Sequence, residues 1–482
     1  MIKVLLKDSF LYTISSFLGK GIGFILLPFY TNIFTPSDYG TMDLVAISII
    51  LITNLFSLQT NQSLARYYVD AKSSNRKKSY FTTTFVYYII IYFFVSTTLI
   101  IFNSEFSHLI FNDTKYSDVI ILAALNIFFG SLYYIGSNLY RLEFESKKFT
   151  ILSLAQILIS SSFILFAIMI LKIGLIGVFI GQLLAYFIFL AFISKKIISK
   201  TYIKLFSFVV LKKMFRFGIP LVPTVLVLLA MQFIDRIMIT NMIGLDSLGQ
   251  YAVAMKISSI IALLLSGFQL AFGPYVFSNY KDPKTKETIA LFFYGINILS
   301  LMIVSFLLLF SFDILVLLTN ESYTGAYTIV PLLALSTFFF SIGSYFSLGF
   351  AIANKNEIQT MIYIVIIFIN IILNYFLISR YGIDGAATAT MISFLFSAGL
   401  NLIISNRYYK INYNIKKLYF YGFIFLVITV LYNLFIENNV SFKDYILKAS
   451  ILFLWCIPLY LLEKQRIKQV YIFIKNRRIN NV

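Results

Sequence analysis

The sequence predicts an all-α integral membrane protein of about fourteen transmembrane helices. Three observations carry that prediction: the composition, the length of the apolar runs and the placement of the basic residues. Of 482 residues, 60% are hydrophobic, 18% aromatic and only 12% charged, and the mean hydropathy is +0.87. A soluble domain carries roughly 25% charged residues, so lipid must be the solvent for most of this chain. At roughly 20 apolar residues per span plus short loops, the length allows at most about fifteen spans.

The apolar runs fall at 9–33, 42–64, 80–102, 118–140, 149–171, 175–194, 217–241, 248–271, 288–310, 325–350, 358–379, 385–405, 418–436 and 445–462. Each is long enough for a helix, whereas a β-barrel would show short alternating segments. The first run follows two lysines, but no small-residue cleavage site follows and Lys20 interrupts it, so it reads as a retained span.

Basic residues orient the chain. With the N-terminus in the cytoplasm, the cytoplasmic segments hold 31 of the 39 Lys and Arg residues. The outer segments hold only Lys115, Lys172, Arg380 and Lys443, and the remaining four lie within spans. Both termini are therefore expected on the cytoplasmic side of an inner membrane. The formal charge of +19 is explained by orientation and contact with anionic lipid, without nucleic acid.

No outer loop exceeds about 16 residues, which leaves no room for the outer domain that membrane glycan polymerases and ligases usually expose. One cysteine, Cys456, excludes an internal disulfide, and one histidine, His108, excludes a His-cluster metal or haem site. No P-loop, glycine fingerprint or catalytic cluster occurs. No cofactor is expected.

Landmarks recur at one separation. Thr31-Asn32 precedes Gly40 as Thr240-Asn241 precedes Gly249, an offset of 209. Gly174 and Gly177 match Gly382 and Gly385 at an offset of 208, as Lys147 matches Lys355. A duplication predicts lobes 1–200 and 201–410, each of six spans, with 411–482 adding helices 13 and 14 and a basic tail. An even number of spans per copy makes the repeats parallel, related by an axis along the membrane normal with the substrate path between them. The glycine pairs sit in short outer turns, where a missing side chain permits tight reversal.

A charge at mid-bilayer costs at least roughly 2.5–3.5 kcal/mol on the insertion scale. Thr13, Ser16, Lys20 and Gly23 share one helix face and are expected to line an aqueous cavity; the alternative, a snorkelling lysine, is disfavoured by the distance to either interface. Asp235 and Arg236 lie toward the outer end of span 7 and Lys256 in span 8; Asp235 pairing with either base in a purely structural role stays open. Asp43 reads as interfacial, and Lys448 as a snorkelling residue at the start of span 14. Asn54, Ser57, Gln59, Asn61 and Gln62 make the inner half of span 2 unusually polar, next to Arg66. The surviving intramembrane excess is cationic, and a cationic cavity selects an anionic cargo. Pro28, Pro220 and Pro223 permit bending of spans 1 and 7.

The segment Leu27 to Gly40 (LPFYTNIFTPSDYG) resembles the opening of the polysaccharide flippases. Phe217-Gly218-Ile219-Pro220, Asp235-Arg236 and Leu248-Gly249-Gln250-Tyr251 resemble the same family at the second repeat, and Tyr381 to Thr390 (YGIDGAATAT) resembles its late signature. The likeness spans residues 1–410 and points to the multidrug, oligosaccharidyl-lipid and polysaccharide exporter superfamily, with the O-antigen flippases of lipopolysaccharide assembly as the nearest branch. It implies two six-helix lobes forming a V plus two extra helices. It also implies a polyprenyl-diphosphate-linked oligosaccharide as cargo, flipped to the outer leaflet by alternating access. Position and charge then nominate Lys20 for the diphosphate, with Arg66, Arg141, Arg236 and Lys256 as further candidates. Asp235 and Asp43 are nominated for ion coupling or gating, with a proton or sodium counter-ion as an alternative to uniport. Other polysaccharide assembly proteins are further expected partners. A multidrug exporter and a membrane glycan polymerase or acyltransferase are the competing readings.

Overall fold

The computed structural model describes residues 17–263, 265, 276–413, 420, 422, 425, 427–430, 432 and 443–454. Lys3, Lys7, Thr13, Ser16, Cys456, most of the expected span 13 and the basic tail lie outside the described residues. Among the described residues, all regular structure is helical, as the composition demands: only a helix satisfies each backbone amide within its own segment in lipid.

Nine of these helices are long and apolar enough to cross a membrane. They are Pro36–Ser57, Ser74–Ile101, Ser117–Leu142, Ser146–Ile170, Gly174–Lys200, Phe208–Ile243, Pro283–Leu318, Glu321–Ile352 and Asn356–Ser405; a shorter apolar helix, Phe17–Ile33, precedes them. The last holds 50 residues. Straight, it would run about 75 Å, more than twice a bilayer core. It reverses at Gly382, where φ is +57° and ψ is −133°, a conformation that a side chain disfavours. Its two arms are the expected spans 11 and 12. Gly174, the repeat mate of Gly382, opens its own helix with φ +62°. The backbone therefore repeats where the sequence does.

Span 2 is shorter than expected. The helix ends at Ser57, Leu58 and Gln59 both adopt left-handed backbone (φ 45° and 53°), and a second helix runs Thr60–Asp70. The polar cluster read as the inner half of one span thus belongs to two helices and the break between them.

Local chemistry explains where the 36–57 helix starts. Thr35 Oγ1 accepts from the Asp38 amide at 3.2 Å while the Asp38 carboxylate accepts from the Thr35 amide at 3.2 Å. This capping box satisfies two of the free amides at the helix start, and Pro36 occupies a position whose missing N–H costs nothing. Part of the Leu27–Gly40 signature is therefore a helix-start instruction.

Contacts divide the chain into two compact units, Met1–Gly249 and Gln250–Val482. This boundary falls later than the duplication boundary near 200, because the 208–243 helix packs on the 36–57 helix. Within the first unit the 117–142 helix is central, packed against 74–101 and 174–200. Within the second, 321–352 packs against 356–405 and against 283–318.

The turn between the 117–142 and 146–170 helices is held by charge. Glu143 meets Lys196 at 2.5 Å and also pairs with Lys200, and Glu145 meets Lys196 at 2.6 Å and Lys148 at 2.7 Å. Burial opposes ionisation of Glu143, but hydrogen bonds and charge from Lys196 and Lys200 outweigh it and hold its pKa at about 2, below the ordinary 4.5. A depressed carboxylate pKa contributes stability that is complete above the unfolded value and lost as pH falls through the folded one. Glu143→Gln is therefore expected to lower the unfolding midpoint by a few degrees at about pH 7. The gap to the parent should close between about pH 4.5 and pH 2. Thermal melts in detergent across that range check this.

Candidate functional site

The repeat mates meet one another. Gly40 and Gly249 correspond in the duplication, as do Pro36 and Leu245. A Cβ on Gly40 would lie 2.5 Å from the Leu245 carbonyl oxygen and 2.9 Å from the Gly249 amide nitrogen. A Cβ on Gly249 would overlap the carbonyl of Pro36. The pattern is reciprocal: residue 40 meets the mate of 36, and the mate of 40 meets 36. Such an isologous contact forms where a two-fold axis passes through the touching surfaces. It brings two backbones together at the start of the 36–57 helix and the start of the 245–258 helix, and only glycine permits that approach.

Beside it lies an ion pair. Arg236 Nε donates to Asp43 Oδ2 at 2.6 Å and Arg236 Nη1 donates to the Gln232 carbonyl at 2.9 Å. The Arg236 side chain is 8% exposed and the Asp43 side chain 26%. The adjacent Asp235 is buried as well. Asp43, taken from the sequence as interfacial, thus clasps the 208–243 helix.

The other nominated residues are dispersed. Lys20 is exposed on the 17–33 helix and makes no ion pair or hydrogen bond among the described residues. Arg66 is exposed and stacks 4.7 Å over the Phe217 ring. Arg141 is exposed at the end of the 117–142 helix, and Lys256 is half-buried in the second unit. Of the seven, Asp43 and Arg236 form an ion pair with each other.

One expectation is overturned outright. Lys448 does not snorkel: it is 0% exposed and meets Asp313 Oδ2 at 2.5 Å. Asp313 escaped the sequence count because the apolar run ends near 310, while the helix continues to Leu318. Arg236 and Lys448 are therefore both neutralised by carboxylates, which shrinks the cationic excess inferred from the sequence. The charge argument for an anionic cargo now rests on Lys20, with Arg66 and Arg141 nearer the helix ends.

The first unit also contains a cavity of about 330 Å³, lined by the 36–57, 60–70, 74–101, 117–142 and 174–200 helices. The break at Leu58–Gln59 re-aims the chain, so that Asn61 donates to the Tyr134 hydroxyl at 3.1 Å. Tyr92 donates to the Thr53 carbonyl at 2.6 Å, fixing the opposite wall. Asn54, Ser57 and Asn61 of this lining were conspicuous in the sequence. Tyr88, Tyr92, Asn126 and Tyr186 were not, since tyrosine is common at membrane interfaces and one asparagine in a span usually bonds across helices.

A family model described as polysaccharide biosynthesis protein matches residues 5–280, and a second, MatE, matches residues 220–376. No curated protein matches the sequence. Among solved structures, the chain is similar to the lipid II flippase MurJ in an inward closed conformation, at 18% identity and a TM-score of 0.72, covering 95% of this chain and 100% of that one. It is also similar to an inward-facing multidrug resistance MATE family transporter of the MOP superfamily, at 15% identity and a TM-score of 0.66, covering 80% and 93%. A MOP superfamily transporter from Pyrococcus furiosus aligns at 14% identity and a TM-score of 0.56, covering 83% and 95%. The fold is thus one used by membrane transporters, and the 5–280 match covers more than half of the chain: it belongs to the polysaccharide biosynthesis protein family.

Proposed function

We propose that this protein is a flippase that carries a polyprenyl-diphosphate-linked oligosaccharide, such as an O-antigen repeat unit, from the cytoplasmic to the outer leaflet of an inner membrane. The moving lobes are the repeats, 1–200 and 201–410, with 411–482 appended. The reciprocal Gly40–Gly249 contact carries this reading. The repeats meet at this glycine contact and the Asp43–Arg236 pair, and again where the 208–218 segment packs on the 60–70 and 74–101 helices; the glycine contact is read as the closure that alternating access must open and shut. The charge asymmetry of the sequence supports reading that closure as outer, with the chain termini in the cytoplasm. Family membership supports a saccharide cargo, and the exposed Lys20 supports a diphosphate headgroup. With a negative cell interior, outward movement of a dianion is favoured by about 2.3 kcal/mol per charge per 100 mV. That drive suffices for uniport; if a proton or sodium ion is coupled, the buried Asp235 is the first residue to replace.

Deleting the gene is expected to strand lipid-linked repeat units on the inner leaflet, and unchanged surface polysaccharide in the deletion strain would refute the proposal. Lys20→Ala is expected to abolish export and Lys20→Arg to retain part of it, read as surface polysaccharide at matched protein level. Full activity of the alanine variant removes Lys20 from the site. The MatE match over 220–376 keeps a drug exporter as the second reading; drug resistance on overexpression, with polysaccharide unaffected, would favour it.

A further inference from the structure

We propose that the cavity inside the first unit holds one uncharged sugar ring of the cargo, an assignment that rests on the flippase reading above. The cavity measures about 330 Å³, inside the range of small-molecule sites and room for about ten waters. None of its lining residues is charged. Two amide oxygens of its lining residues, Asn126 Oδ1 and Asn61 Oδ1, are buried without a hydrogen-bond partner, and the Ser131 hydroxyl stands beside Tyr92. Asn126 is 3% exposed. The orientation of Asn126 is not arbitrary, because its amide nitrogen donates to the carbonyls of Leu122 at 2.9 Å and Phe179 at 3.0 Å. Two acceptors on that side require the NH₂ there, so the oxygen is the unspent end.

Unspent acceptors at a polar wall call for a ligand rich in donors, since each one left bare costs the desolvation of that group. Sugar hydroxyls are such donors. Tyr134 and Tyr186 line the same space and offer aromatic rings, whose negative quadrupole suits the C–H face of a pyranose. Tyr134, 45% exposed, is the open side. A uronic acid would bring a carboxylate to a wall without a cation, and its desolvation would go uncompensated. An organic cation would find no carboxylate. The pocket therefore selects a neutral ring and leaves the diphosphate to the basic residues elsewhere.

The test uses the purified full-length protein in detergent and three probes: polyprenyl diphosphate bearing one neutral hexose, the same lipid bearing a uronic acid, and the sugar-free lipid. The parent is expected to bind the hexose probe several-fold more tightly than the other two. Ser131→Ala removes a lining hydroxyl that stands beside Tyr92; its melting temperature, measured alongside, should fall by no more than a few degrees. It should weaken the hexose probe by about three- to tenfold and leave the sugar-free probe alone. Asn126→Asp, which adds charge at the same wall, should weaken the hexose probe further. Equal binding of the hexose and sugar-free probes overturns the sugar pocket while the flippase reading stands. Equal binding of hexose and uronic acid overturns the neutral-ring assignment. Failure to bind any diphosphate probe overturns both the pocket and the reading beneath it.

Discussion

Replacing Lys448 with methionine is expected to destabilise the protein by about 3–5 kcal/mol, the range for removing one partner of a buried ion pair. Lys448 is completely buried and Asp313, its partner at 2.5 Å, is 11% exposed. Without the ammonium, the Asp313 carboxylate is left in a low-dielectric site between the 283–318 helix and residues 443–454, with its charge uncompensated. The double variant Lys448→Met with Asp313→Leu should recover most of the loss, because paired charges return little beyond their own desolvation. Thermal unfolding of the purified variants measures both. A single variant as stable as the parent would mean that the carboxylate reaches water or another cation, and that this pair does not anchor residues 443–454.

The second large effect concerns the contact between repeat mates. Gly249→Ala puts a methyl group into the Pro36 carbonyl. That neighbour is backbone and cannot swing aside, so the two segments must separate. Overpacking of this kind costs about 1–3 kcal/mol, which at roughly 1.4 kcal/mol per tenfold lowers the closed population by about five- to 140-fold. If closure at this end belongs to the transport cycle, export should fall in proportion while the protein still inserts. Gly295→Ala is the control, since a Cβ there meets nothing within 4 Å. Arg236→Ala should act in the same direction by freeing Asp43, and the reversed pair Asp43→Arg with Arg236→Asp should restore part of the activity. Appearance of labelled lipid-linked sugar on the outer leaflet is the readout. Normal flipping by Gly249→Ala would show that this contact is packing alone.

The sequence by itself determined the solvent and the class. Twelve per cent charged residues leave lipid as the only medium for the runs. The helix starts and turns were legible because they obey local rules: Thr35-Pro36-Ser37-Asp38 is a capping signal, and Gly174 and Gly382 are placed where left-handed backbone is needed. The proposed duplication rests on equal spacing within the chain itself. Partnership was not. Asp43 and Arg236 are 193 residues apart and Lys448 and Asp313 are 135 apart, and nothing local in a span says which cation a carboxylate will meet. The cavity is also non-local, since it exists only where five helices leave a gap and the chain breaks at Leu58–Gln59. Tertiary structure decided which charges are cancelled and which oxygens are left unsatisfied, because Coulomb attraction and packing act through space while propensity acts along the chain.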